Sequence, residues 1–439
     1  MLRNIFVFLI IVVGIFYAAQ GPFYALLFYL WNAYFRPEQW VWGGEVLEMR
    51  LSLVIGLYLV VTALLSTRSL RLNTRTLLVV LFAIHTILSA LMSEHVDSSW
   101  AAWIDFARVL LVSYLIVILV TTPERMRLLL LVIALSLGFE CAKQGWVQLL
   151  LNPGGQNNNT VPFLGDNNGV ALGTMMLVPI FGALAQTATR RWEVLLHRFF
   201  AVGVFFRGFT TYSRGGFLAA GVVGLFTLAR ARRKVPALIG IAAVALIAST
   251  AMPQQYWDRM RTITASGEQM DSSARGRLHF WGVAVRMADA RPFFGVGFNG
   301  YHPSYISYDP SRGEWGEDRA VHSVWFGVLA ELGYPGLVLF ITIWIVAVSS
   351  CWRARRLAKG DPARSDLNRY ATAIETSLIV YAVGGSFLAA QYSEMYWHFV
   401  GISTALYLLA VQEAPAVEEA AGESIGTQPG FARWAASGK

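Results

Sequence analysis

Charged side chains are scarce in this sequence. They make up 14% of its 439 residues, against about 25% in a soluble domain, while hydrophobic types make up 56%. That balance excludes an ordinary soluble globule. It points to an all-α protein threaded repeatedly through a membrane, since lipid leaves only helices and closed barrels with their backbone polar groups satisfied. Cysteine is nearly absent too. Cys141 and Cys351 fall in or beside different apolar runs at different expected depths, so neither a disulfide framework nor a cysteine-held metal is supported. The loops 93–101, 151–167 and 252–321 contain no Asp-x-Asp, the usual carboxylate signature for a divalent ion; no metal and no cofactor is expected. The net charge of +8 is scattered among short loops rather than drawn into one stripe, which argues against nucleic acid. No repeat of 20–50 residues is evident, and the two halves do not align as the inverted repeats of a transporter.

What is present is a series of apolar runs of about 20 residues, enough to cross a hydrocarbon core of about 30 Å. They lie at 50–66, 76–92, 102–121, 126–150, 168–187, 199–213, 215–230, 235–251, 322–350, 373–391 and 395–412. Residues 4–19 and 22–35 are short for two crossings and read as one broken helix or a shallow hairpin, counted as a single crossing. The total is about twelve transmembrane helices. Met1-Leu2-Arg3 and the following run mimic a signal peptide, yet Ala19-Gln20-Gly21 leads into Pro22 and more apolar chain, so the segment is kept as an uncleaved span. Arg and Lys gather in loops 67–75 (Arg68, Arg71, Arg75), 122–127, 188–198, 230–234 (Arg230, Arg232, Arg233, Lys234) and 351–372. The positive-inside rule makes these loops and both termini cytoplasmic, and it places loop 252–321 in the periplasm of a Gram-negative cell. The chain thus divides into an amino-terminal membrane region (1–150), a second membrane region holding the candidate chemistry and the large loop (151–412), and a tail (413–439) expected to be disordered.

Loop 252–321 carries eight arginines and no lysine, together with eight acids that include Glu268 and Asp271. Arginine is the planar, permanently charged fork that grips phosphate oxygens in pairs. Solvated ion pairs account for most of the eight. Arg275 and Arg277 differ, because they open an amphipathic helix expected to be capped by Ser272 or Ser273, with Arg277 and Trp281 four apart on one face. Such an Arg beside a Trp can face lipid headgroups. Arg214, in Tyr212-Ser213-Arg214-Gly215-Gly216, lies at the external end of two abutting apolar segments, where few cations are expected. Arg207, in the preceding span, reads as a structural partner buried between helices. Asp166, Asn167 and Asn168 can cap the next helix or contact substrate, and sequence weighs the two about equally. Gly295-x-Gly297-x-x-Gly300 matches a dinucleotide-binding pattern but has no strand before it, so it is read as a turn leading back to His322. His322 opens a helix whose positive end disfavours imidazolium, leaving a neutral base. Glu331, nine residues on and about 180° round the helix, cannot share the face of His322, and its depth demands a partner. Gly333, Pro335 and Gly336 are expected to break or kink this helix. His279 and His302 are weaker candidates.

The order Gly165-Asp166-Asn167-Asn168, Tyr212-Ser213-Arg214-Gly215-Gly216, Ser272-x3-Gly276-Arg277-x3-Trp281, Arg291-Pro292-x2-Gly295-x-Gly297 and His322-Ser323-x5-Leu329-x-Glu331-x-Gly333-x2-Gly336 resembles the O-antigen ligase superfamily. The first 150 residues look like the amino-terminal region of its exosortase-associated putative O-glycosylation ligases. The resemblance implies a metal-independent, inverting membrane glycosyltransferase of about twelve helices. It would move a glycan from undecaprenyl pyrophosphate to an acceptor hydroxyl, in the ligases a sugar of the lipid A core. On this likeness Arg214 and Arg277 would bind pyrophosphate, with Arg275 a competitor for that contact, and His322 would activate the acceptor. An O-antigen polymerase, a protein O-glycosyl ligase and, more remotely, a lipid-linked oligosaccharide flippase are the alternatives.

Overall fold

The structure, a computed structural model, describes residues 2–40, 50–66, 72–231, 233–261, 263 and 272–412. The tail 413–439 lies outside the described residues, as do Arg68, Arg71, Arg232, Glu268 and Asp271. Among the described residues the fold is helical, with one isolated bridge between Val161 and Gly165 and no strand. Every apolar run from residue 50 onward coincides with a helix: α3 (Leu51–Ser66), α4 (Thr74–Leu91), α5 (Val96–Leu119), α6 (Pro123–Leu151), α7 (Asn167–Thr187), α8 (Arg191–Phe209), α9 (Arg214–Arg230), α10 (Lys234–Ala251), α14 (Val324–Leu357), α15 (Ser365–Gly384) and α16 (Glu394–Gln412). Five of these, α4, α5, α7, α10 and α14, are long and apolar enough to cross a membrane by themselves. The chain is an integral membrane protein.

The first two runs depart from the single crossing expected of them. They form α1 (Leu2–Ala18) and α2 (Pro22–Phe35), which fold back on each other about Gly21, whose φ of 146° few other residues tolerate. Tyr17 meets Tyr24 at 6.1 Å, and a Cβ on Gly14 would lie 2.3 Å from the Phe28 ring. Pairs so placed on either side of the turn define an antiparallel hairpin. Its tip, at Phe23, packs under the Arg125 guanidinium 4.9 Å away. The start of α1 therefore returns to the end of the molecule where α2 finishes.

Lipid gives helices no hydrophobic reason to associate, so close backbone contact through small residues does that work. A Cβ on Gly145 of α6 would fall 1.8 Å from the Gly203 carbonyl oxygen of α8, so these two helices cross with backbones touching. The basic loops gather at one end, where Glu375 accepts from Arg230 at 2.6 Å and from Arg355 at 2.7 Å and Arg127 pairs with Glu193 at 2.8 Å. The opposite end is built from residues 152–167, 210–213 and 291–323, with the short helices α11 (Gln254–Arg261), α12 (Ser272–Ala290) and α13 (Tyr301–Tyr308). α12 lies against α14. Ser272 and Ser273 are already inside α12, so neither is the expected cap.

Candidate functional site at the end opposite the basic loops

His322 is not the first residue of its helix. α14 begins at Val324, Ser323 is its N-cap, and His322 stands before the cap in the left-handed region at φ 48°, a conformation costly for a residue with a Cβ. The loop is held there by Trp281, whose indole N–H donates to the Val321 carbonyl at 3.1 Å while its ring stacks on Phe326 at 5.0 Å. Trp281 thus positions the residue before His322, a structural role. Phe280 packs beside the imidazole at 6.4 Å.

The His322 imidazole has its pKa pushed below the ordinary value, first by burial and next by the Arg277 and Arg319 guanidiniums, with Asp166 pulling the other way. His322 stands one residue before the N-cap of α14, beside the positive helix end expected from sequence to disfavour imidazolium. Arg277 and Asp166, far apart in sequence, are thus brought close enough to act on one imidazole.

Arg277 is half-buried and Arg275, two residues earlier, is exposed. The Arg277 guanidinium lies 5.7 Å from the Phe387 ring. Phe387 also packs on Gly215, where an added Cβ would sit 3.2 Å from the Phe387 Cβ. One aromatic side chain therefore joins the helix of Arg277 to the start of α9, whose first residue is the buried Arg214. Ser213 caps α9 by accepting from Gly216 N–H, and its hydroxyl donates to Asn168 Oδ1 at 2.8 Å. Asn168 is thereby tied to Arg214's turn. Asp166 caps α7 by accepting from Gly169 N–H at 2.8 Å, while Asn167 Nδ2 donates to Asn158 at 2.6 Å. Arg207 is wholly buried and braces the same loop, donating to Gln144 at 2.7 Å and to the carbonyls of Asn157 and Asn159.

Glu331 does have partners. Its carboxylate accepts from Gln391 Nε2 at 3.0 Å and, more weakly, from Tyr301 N–H at 3.4 Å. Gly295 and Gly297, at φ 64° and 111°, press the glycine-rich turn onto α14, where Val296 N–H donates to the Ala330 carbonyl at 2.9 Å. Nothing nucleotide-like is built there. His279 lies 2.8 Å from Asp309. Burial would raise that carboxyl, but hydrogen bonds from Gly313, Ser311 and His279 outweigh it and hold it down at about 2. His302 pairs with Asp318. Both histidines are thus occupied by acids within the large loop.

A cavity of about 890 Å3 opens beside these residues, with Asp166, Tyr301, Val321, Glu331 and Gln391 in its wall. Val321 in that wall directly precedes His322, while His322, Arg214 and Arg277 themselves lie outside it. The residues missed from sequence are Phe387, Gln391 and Tyr301. Each acts across a fold contact of 30 or more positions, and none carries a local motif.

Residues 199–341 match the family model described as O-antigen ligase. Residues 2–184 match one described only as a family of unknown function (DUF5935). No curated protein matches the chain. The O-antigen ligase match takes in Arg214, Arg277 and His322, and residues 199–341 therefore form an O-antigen ligase domain, of the ligase- and polymerase-type glycosyltransferase family.

Proposed function

We propose that this protein transfers a glycan from undecaprenyl pyrophosphate to a sugar hydroxyl of the lipid A core. The site would face the periplasm, in a bacterial inner-membrane protein of about thirteen crossings, α1 and α2 counted as one each. The observation that carries this reading is the grouping of Arg277 and Asp166 around a half-buried His322 whose protonation burial disfavours. Neutral His322 takes the acceptor hydroxyl proton as the oxygen attacks the anomeric carbon, and pyrophosphate leaves from the opposite face with inversion. Arg277, and Arg214 across Phe387, neutralise the charge growing on the departing pyrophosphate. That leaving group is already good, so no covalent enzyme intermediate and no metal is invoked.

The test is transfer by the purified wild type and by His322→Ala, with EDTA present and donor binding measured separately. His322→Ala is expected to lose about 100- to 10,000-fold in transfer while holding the donor within about twofold. Undiminished transfer would remove His322 from the chemistry. Extension of the donor glycan without transfer to core would make the protein a polymerase.

A further inference from the structure

A second cavity, of about 820 Å3, lies between α2, α3, α5 and the start of α16, and the proposed transfer makes no use of it. Two of its wall residues, Asn32 and His398, are only 2% and 1% exposed. Asn32 Nδ2 donates to Ser52 Oγ at 2.7 Å, and His398 Nδ1 lies 3.0 Å from the Tyr34 hydroxyl. Asn32 Oδ1 and His398 Nε2, however, have no hydrogen-bond partner among the described residues. Buried polar atoms left this way are costly unless something meets them.

The rest of the wall has two characters. Arg36 faces Glu394 at 3.7 Å and Arg108 faces Asp105 at 2.8 Å, and Arg50 and Glu38 also line the wall, so both signs of charge stand together and cancel. Leu57 and Leu111 also line the cavity and are 64% and 41% exposed, on helices whose outer faces meet lipid. The cavity therefore opens sideways from a polar interior onto the hydrocarbon.

We propose that it binds an aminophospholipid, with the phosphoethanolamine headgroup inside and an acyl chain along Leu57 and Leu111. A zwitterion suits a wall of balanced charge. The arginine forks meet the phosphate, the ammonium N–H groups reach Glu394 and Asp105, and rotation of the enclosed Asn32 amide brings its Oδ1 to them. A choline headgroup has the same charge but no N–H to donate. An anionic glycerol headgroup brings no cation for the three carboxylates of the wall, Glu38, Asp105 and Glu394. The inference rests on this cavity alone and stands whether or not the transfer reaction is as proposed.

The experiment uses the delipidated full chain in detergent, with dioctanoyl phosphatidylethanolamine, phosphatidylcholine and phosphatidylglycerol offered at equal concentration. Retention is read by native mass spectrometry and thermal unfolding. The ethanolamine lipid is expected to bind at least tenfold tighter than either of the others and to raise the Tm. Asn32→Leu, and Arg108→Gln at an exposed position that folding does not need, are each expected to reduce that preference about tenfold. Equal binding of the ethanolamine and choline lipids, strongest binding of the glycerol lipid, or a preference unchanged in both variants would overturn the proposal.

Discussion

At the scale of single residues, the chemistry depends on how one imidazole is surrounded. A base is active when neutral, so its rate rises as pH climbs through its pKa. With the His322 pKa lowered by burial and by Arg277, the acid limb of kcat/KM is expected below the ordinary imidazole value of about 6.5. Arg277→Gln removes a nearby cation, so the pKa should rise and the acid limb should move to higher pH even as the rate falls. A limb that stays in place would mean that Arg277 does not act on His322. The two neighbouring arginines should also separate. Arg277→Ala is expected to weaken donor use by about tenfold or more, as the loss of a charge-assisted contact does, whereas the exposed Arg275→Ala should stay within about twofold. Steady-state donor KM for both variants checks this.

At the scale of elements, the helix after His322 is really two. Gly333 sits at φ 67°, ψ −172°, a region open essentially to glycine alone, and one that costs other residues about 1–3 kcal/mol. A Cβ there would also fall 2.4 Å from the Pro292 carbonyl oxygen. Gly333→Ala is therefore expected to lower the Tm of the detergent-solubilised protein and to reduce transfer. Pro335→Ala, two residues past the kink, should change the Tm much less. Equal Tm values for Gly333→Ala and the wild type would rule out a structural need for the bend. The break was legible in Gly333-x-Pro335-Gly336, but which residue bends was not, because that is set by the approach of Pro292 from another part of the chain.

At the scale of the whole molecule, the hairpin of α1 and α2 puts the start of the chain at the same end as α12. If that end faces the periplasm, an amino-terminal tag and a cysteine at Arg275→Cys should both be reached from outside intact cells, and Lys359→Cys only after the membrane is broken. The native Cys141 and Cys351 are buried, so they add little background. A tag sealed inside while position 275 is labelled would show that α1 and α2 do not both cross. The hairpin was hard to see in advance because each run is short, and length alone cannot tell a broken helix from two antiparallel ones.

The sequence alone carries the helical membrane fold, the places of the later helices, and the arginines and histidine that stand where lipid or solvent makes them costly. Those properties follow from the length of apolar runs and from charge placed where lipid or solvent penalises it, and both are local. That Arg277, Asp166 and His322 share one environment, that Phe387 joins α12 to α9, that Glu331 is met by Gln391 and that Arg275 is exposed came from the folded chain alone. Contacts between residues tens to well over a hundred positions apart depend on how helices cross and where loops return, and no spacing within a single segment encodes that.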